Sequence, residues 1–214
     1  DELIIEAEDN IYQAKNIILA TGSNAFELPN LKFDHDFILS SDDMFNLNEL
    51  PKSIVVVGSG AIGLEWAMIL NSFNVDVTIV EKAPSLAPAL DIDIQKRLDR
   101  ILKLNGIKFY KDDFIVSADN KKTLLNSGVE LNPEKILVAV GRKPVLENIA
   151  VAGCSDKFHI TVNPDNTTEF NNLFVAGDAS CGVMLAHSAS NQAERIVRSI
   201  VENKNLSDYP IKSI

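Results

Sequence analysis

Cysteine is scarce in this chain: Cys154 and Cys181 are the two among 214 residues. They lie 27 positions apart with no CxxC spacing and read as isolated thiols, neither a disulfide framework nor a zinc site. Positive charge is also short, with 20 Lys+Arg against 30 Asp+Glu and a net charge of −10. Nucleic-acid backbones are recognised by clustered Lys/Arg, and no basic block or interleaved aromatic run is present, so a nucleic-acid face is excluded. The same acidity sets the chain against an anionic lipid surface. Long apolar runs are missing too. The longest, Trp66 to Leu70 and Ile136 to Val140, fall far short of the ~20 residues that span a bilayer. Asp1-Glu2 stands where a signal peptide would carry cationic residues, so a cytoplasmic location is expected.

What is present is a core. Hydrophobic residues make up 46% of the chain, and the usual domain length of roughly 150 residues allows one large or two modest domains. Ser53 to Val57 reads as a β-branched strand buried on both faces, stopped by Gly58. Ile62, Trp66, Ile69, Leu70 and Phe73 then recur at helical spacing, so Trp66 and Phe73 are expected in the core. Val75 to Val80 supplies a second strand, and strand, helix and strand together make a βαβ unit with a right-handed crossover. A parallel sheet follows from it.

Further along, Ile94, Leu98, Ile101 and Leu102 share one face of an amphipathic helix that ends at Asn105-Gly106. Short strand-like pieces at Ile107 to Tyr110, Phe114 to Ala118, Thr123 to Leu125 and Lys135 to Val140 are read as a small antiparallel meander feeding back into the sheet. Two more apolar strands end in glycine, Asn16 to Gly22 and Asn172 to Gly177, and a last helix is marked by apolar positions from Leu185 to Val201. Phe26 to Leu50 shows no sustained period and reads as connecting chain.

The chemistry concentrates at Gly58-Ser59-Gly60-Ala61-Ile62-Gly63, a GxGxxG that follows a strand and opens a helix. In that setting the first glycine makes the tight turn, the second admits a pyrophosphate to the backbone, and the third lets helix and strand pack closely. Glu81 ends the second strand, where a carboxylate accepts ribose hydroxyls and repels a 2′-phosphate, favouring NAD(H) over NADP(H). The bland alternative is that the glycines simply build a strand-to-helix turn. Glu65 has its own bland reading as a solvated carboxylate near a helix start. His187 reads as a polar contact at a helix start, because no Ser, Cys or carboxylate motif accompanies it. His35 and His159 carry less signal still.

Taken in order, Ala20-Thr21-Gly22-Ser23, GSGAIGLE at Gly58 to Glu65, VTIVE at Val77 to Glu81, AVGRKP at Ala139 to Pro144, FVAGDA at Phe174 to Ala179 and MLAH at Met184 to His187 resemble the flavoprotein pyridine nucleotide-disulfide oxidoreductases. Within that family the likeness is greatest to the dihydrolipoamide dehydrogenases. The resemblance implies an α/β fold: a Rossmann-like dinucleotide-binding domain, a parallel sheet plus β-meander, flanked by incomplete parts of a second, FAD-domain unit. Its implied boundaries are 1–50, a partial FAD-domain segment and linker; 51–145, the NAD-binding domain; and 146–214, a returning FAD-domain segment with the C-terminal helix. It implies an NAD site at Gly58, Ser59, Gly60, Ala61, Ile62, Gly63, Leu64, Glu65 and Glu81, with Ile115 beside the adenine and Gly141 on the nicotinamide side. It implies FAD contacts at Thr21, Gly22, Ser23, Asp178, Met184, Leu185, Ala186 and His187.

The departures from the family pattern carry expectations as well. A second GxGxxG, the CxxxxC redox pair, the lysine that partners the Glu65 equivalent and the His–Glu pair of the interface domain are all missing from these 214 residues. Catalytic residues are therefore expected to be absent, and metal ligands too. The chain is expected to be the middle of a longer homodimeric protein that oxidises dihydrolipoamide on a lipoyl domain through FAD to NAD⁺, and to lack turnover alone. An NADH oxidase, mercuric reductase or transhydrogenase would share the same unit, and a non-catalytic nucleotide-binding module would reuse its fold.

Overall fold

Residues 3–7, 9–119, 122–146 and 161–209 are described by a computed structural model; Cys154 and His159 lie outside them. The elements in chain order are β1 (Leu3–Ala7), β2 (Asn10–Ala14), β3 (Ile17–Leu19), β4 (Ser23–Ala25), β5 (Ile38–Leu39), β6 (Ser53–Val57), α1 (Ala61–Ser72), β7 (Asp76–Glu81), α2 (Ile92–Leu104), β8 (Lys108–Lys111), β9 (Ile115–Asp119), β10 (Lys122–Leu125), β11 (Glu130–Leu131), β12 (Lys135–Val138), β13 (Arg142–Pro144), β14 (Leu173–Val175) and α3 (Ala186–Glu202). Two compact units divide the chain: Ala25–Arg142, and Asp1–Asn24 together with Lys143–Ile214.

The first unit is built on a five-stranded sheet of order β5-β12-β6-β7-β8, every pairing in it parallel. Because successive strand residues face opposite ways, its strands feed two cores. Ile54, Val56, Val77, Ile79 and Leu137 pack with Ala67 and Leu70 of α1 and Leu102 of α2. Val55, Val57, Val80, Ile136 and Val138 pack with Ile115 and Leu125 from the antiparallel meander β9-β10-β11. Helices thus cover one face and the meander the other, which is why the parallel strands read as unbroken apolar runs. Side chains such as Ile54 and Val56, at 1% and 0% exposure, each contribute about 1.5–3 kcal/mol by leaving water.

Three expectations need correction. β8 belongs to the parallel sheet beside β7, so the meander begins only at β9. The segment read as connecting chain supplies β5, paired in parallel with β12; two residues are too few to show a period. Phe73 is 62% exposed, because it caps α1 just before Asn74 turns left-handed at φ 64°. The stripe that α1 buries is Gly63, Ala67 and Leu70; Trp66 is half-buried and meets Phe45 edge to face at 5.3 Å.

In the second unit β3 and β14 pair in parallel, Ile17 opposite Leu173 and Leu19 opposite Val175, while β1 and β2 form an antiparallel hairpin. Ile196 of α3 packs with Ala176 and Leu206. No helix among the described residues is long and apolar enough to cross a membrane.

Candidate functional site

From the central strand β6, β7 and β8 extend the sheet to one side, and β12, with β5 beyond it, lies on the other. The strand order therefore reverses between β6 and β12, the position at which open α/β sheets hold ligands beyond the strand carboxyl ends. Gly58 follows the end of β6, Glu81 is the last residue of β7, and Ala139 to Gly141 follow the end of β12.

The three glycines of the turn do different work. Gly58 has φ 96°, and a Cβ there would stand 2.6 Å from the Ala139 carbonyl oxygen. A Cβ on Gly63 would stand 2.2 Å from the Gly58 carbonyl oxygen. These two are required by the turn itself. Gly60 is otherwise: its φ −70° and ψ −177° suit any residue, and a Cβ there would meet nothing within 4 Å among the described residues. Beyond it α1 begins with no side-chain cap, its first ladder bond running from Leu64 N–H to the Gly60 carbonyl at 3.0 Å. The first-turn N–H groups of such a helix favour an anion.

Glu81 is partly exposed and held in place. Its Oε2 accepts the Ser59 N–H at 2.8 Å and the Ser59 hydroxyl at 2.6 Å, and its Oε1 accepts the Ala83 N–H at 2.8 Å. The Ser59 hydroxyl in turn accepts the Ala87 N–H at 3.0 Å. Glu65 stands exposed on α1, and Ala61, Ile62 and Leu64 complete its first turn. Gly141, with φ 130°, accepts the Phe26 N–H at 2.9 Å.

Ile115 is buried, and its carbonyl accepts the Asn30 amide at 2.7 Å. The loop before it is fixed by Asp113, whose carboxylate takes the Ser127 hydroxyl at 2.6 Å, the Phe114 N–H at 2.9 Å and the Ser127 N–H at 3.2 Å. Burial raises the pKa of this carboxyl, but these hydrogen bonds outweigh burial and hold it below the ordinary aspartate value. Asn30 and Asp113 were missed from the sequence. Asn30 lies 85 positions from Ile115, and nothing in the local pattern announces such a contact.

In the other unit, the β3/β14 pairing brings Ser23 and Asp178 together across 155 positions, the serine hydroxyl donating to Asp178 Oδ2 at 2.5 Å. Thr21 Oγ1 donates to the Val145 carbonyl at 2.5 Å, and Gly22 accepts the Val145 N–H at 2.9 Å. Gln192 of α3 accepts the Gly177 N–H at 2.7 Å, another contact without a sequence signal. Met184 and Leu185 lead into α3, whose first two residues are Ala186 and the exposed His187. Cys181 is a free, exposed thiol at φ 57°. His35 pairs with Asp43, its Nδ1 lying 3.0 Å from Oδ1. Among the described residues no group of His, Cys, Asp and Glu is arranged to hold a metal.

A parallel sheet with helices on one face, a meander on the other and a glycine turn at its switch point defines a Rossmann-like α/β protein. The pyridine nucleotide-disulphide oxidoreductase family model matches residues 2–193, and the chain belongs to that family. It is 33% identical over 201 residues to a dihydrolipoyl dehydrogenase of Bacillus subtilis (strain 168), covering 86% of this chain and 42% of that protein. It is 32% identical over 222 residues to the mitochondrial dihydrolipoyl dehydrogenase of Schizosaccharomyces pombe, covering 95% and 42%. A leghemoglobin reductase of Glycine max matches at 32% over 219 residues, covering 95% and 42%. The chain thus spans about two fifths of these relatives. Among solved structures, LpdA from Mycobacterium tuberculosis superposes with a TM-score of 0.83 at 21% identity, covering 95% of this chain and 50% of that one. The flavoprotein disulfide reductase RclA from Escherichia coli gives 0.76 at 22%, covering 94% and 48%. These two establish likeness of fold.

Proposed function

We propose that the unit Ala25–Arg142 is the NAD(H)-binding region of a dihydrolipoamide dehydrogenase, and that Asp1–Asn24 with Lys143–Ile214 carries part of its FAD site. The observation that carries this reading is Gly60. Beyond a weak N-cap preference over alanine, neither its backbone angles nor the described residues around it call for glycine, which leaves open space at the turn of the kind a pyrophosphate fills. The fit extends to the rest of the site. The start of α1 offers N–H groups to the phosphates. Glu81 receives three donors among the described residues, and a carboxylate has about four acceptor positions, so Oε1 keeps one for a ribose hydroxyl. Its charge repels a 2′-phosphate.

Bound FAD and NAD(H) supply the hydride chemistry of such an enzyme. The chain's own residues position them. Ser23 fixes one oxygen of Asp178, so Oδ1 would be left for a ribityl hydroxyl, and Met184 to His187 would line the flavin. Glu65 and Gly141 would serve the nicotinamide end, and Ile115, whose side chain is buried, would meet the adenine through its backbone. The longer enzyme would act as a homodimer, taking electrons from dihydrolipoamide on a lipoyl domain. With Cys154 and Cys181 as the only thiols, these 214 residues hold no CxxxxC pair for thiol–disulfide exchange.

Titration of NADH and NADPH into the 214-residue chain, followed by nicotinamide fluorescence, tests the reading. NADH binding with a weaker response to NADPH, and no lipoamide turnover, is the expected result. A preference for NADPH would overturn the role given to Glu81, and robust turnover would overturn the assignment of the redox pair to another part of the protein.

A further inference from the structure

Ser59 is fully buried, a setting in which polar atoms need partners, and it has them. One residue joins the turn after β6, the carboxylate at the end of β7 and the segment leading to α2. In that segment Leu86 is wholly buried and Ala87 is held at φ 47°, a conformation that alanine keeps only under constraint.

A glutamate at a strand end has several staggered rotamers. Two donors from Ser59 converge on one oxygen of Glu81 and select one of them. They also use up that oxygen, and Ala83 takes part of the other. We propose that Ser59 is a positioning residue: it locks Glu81 so that a single acceptor on Oε1 meets the ribose, and so that a 2′-phosphate faces a negative charge that cannot turn away. This rests on the NAD(H) reading of the glycine turn. Selectivity against NADPH then belongs to the Ser59–Glu81 pair, because a carboxylate that loses the Ser59 hydroxyl is held by backbone N–H bonds alone and can turn further toward solvent, where its repulsion fades.

The test is a double-mutant cycle on the 214-residue chain with S59A, E81A and S59A/E81A, measuring NADH and NADPH affinities by nicotinamide fluorescence and melting each variant. The alanine at position 59 keeps the backbone N–H bond to Glu81 and removes the hydroxyl alone. S59A is expected to weaken NADH about tenfold and to narrow the preference for NADH by about fivefold or more. In the E81A background the same change should have no effect on either nucleotide, since a residue acting through Glu81 has nothing left to act on. A general structural role would not show that dependence. Unchanged NADH affinity in S59A, or equal losses with and without Glu81, overturns the inference while leaving the site reading intact. A parent chain that binds neither nucleotide overturns both. If S59A does not fold, S59C takes its place with the same expected cycle, because its thiol fills the volume but donates weakly.

Discussion

The glycine turn offers a prediction in which structural and ligand demands separate. In G63A the new methyl would lie 2.2 Å from the Gly58 carbonyl oxygen and 3.1 Å from its carbon, against 3.4–4 Å for ordinary contact. Relief needs a shift of about 1 Å between backbone segments, since neither partner is a flexible side chain. Overpacking of this kind costs about 3 kcal/mol, at the upper end of the usual range, which lowers the melting temperature by roughly 10 °C for a unit of this size. G60A differs in every term. Its backbone angles suit alanine and the methyl meets nothing among the described residues. Alanine is a poorer N-cap than glycine by about 0.5 kcal/mol, and the lost freedom of the unfolded chain offsets a similar amount. Its melting temperature should therefore stay within about 2 °C of the parent. NADH affinity should nonetheless fall tenfold or more, since the methyl occupies the space through which a pyrophosphate reaches the backbone. Circular dichroism melts and NADH titration on both variants are the assays. A folded G60A chain that binds NADH as tightly as the parent would refute the ligand argument, and a G63A chain with an unchanged melting curve would refute the packing argument.

Asp113 gives a pH-dependent prediction. Its folded pKa is depressed, so the stability it contributes is present above the unfolded value near 3.9 and is lost as pH falls through the lower folded value. S127A, which removes the hydroxyl donor, should cost about 1–2 kcal/mol at pH 7; urea melts should show the gap closing in strongly acidic solution, and a gap independent of pH would contradict the account. In the other unit, buried Arg195 donates from Nε to the Tyr209 carbonyl at 2.7 Å and from Nη1 to Asn166 Oδ1 at 3.4 Å. R195M should cost about 1.5–3 kcal/mol and speed hydrogen exchange at Leu206–Asp208; unaltered exchange there would show that Arg195 does not anchor that turn.

The βαβ unit was legible because each of its signals is local. A β-branched run marks β6 with the bounds observed, glycines mark the turn, and the apolar run Val75 to Val80 marks β7, each bound one residue from those observed. The amphipathic α2 was legible for the same reason, since its charged face contrasts with Leu98 and Leu102. Pairing partners were not legible. Whether Lys108–Lys111 joins β7 or the meander depends on a crossover that α2 makes in space, and the short β5 is stabilised by β12, almost a hundred residues away, more than by its own sequence. The face of α1 was misjudged because that helix is apolar on most sides. Burial is decided there by how closely β6 and β7 approach, which only small residues such as Gly63 and Ala67 allow.

The same limit governs the site. Sequence places Gly58, Gly60 and Gly63 in one motif with equal weight, yet their surroundings differ: the Ala139 carbonyl, open space among the described residues, and the Gly58 carbonyl. Only the second is evidence about a ligand, because a glycine that its own fold explains says nothing about what binds. Ser59 and Glu81 illustrate the converse. As letters they are an unspecified position of the GxGxxG motif and a charge at a strand end. As atoms they form a single unit in which a buried hydroxyl and a backbone N–H determine what a carboxylate has left to offer. Nucleotide preference in such a turn is then set by the count of acceptor positions that remain on Glu81, and engineering it by changing Glu81 while Ser59 still presents two donors would leave those donors facing whatever replaces the carboxylate. An E81R chain would place a guanidinium, which accepts no hydrogen bond, against both; S59A removes the hydroxyl donor but keeps the backbone N–H, so even S59A/E81R leaves one donor without its carboxylate, and both variants should melt below the parent.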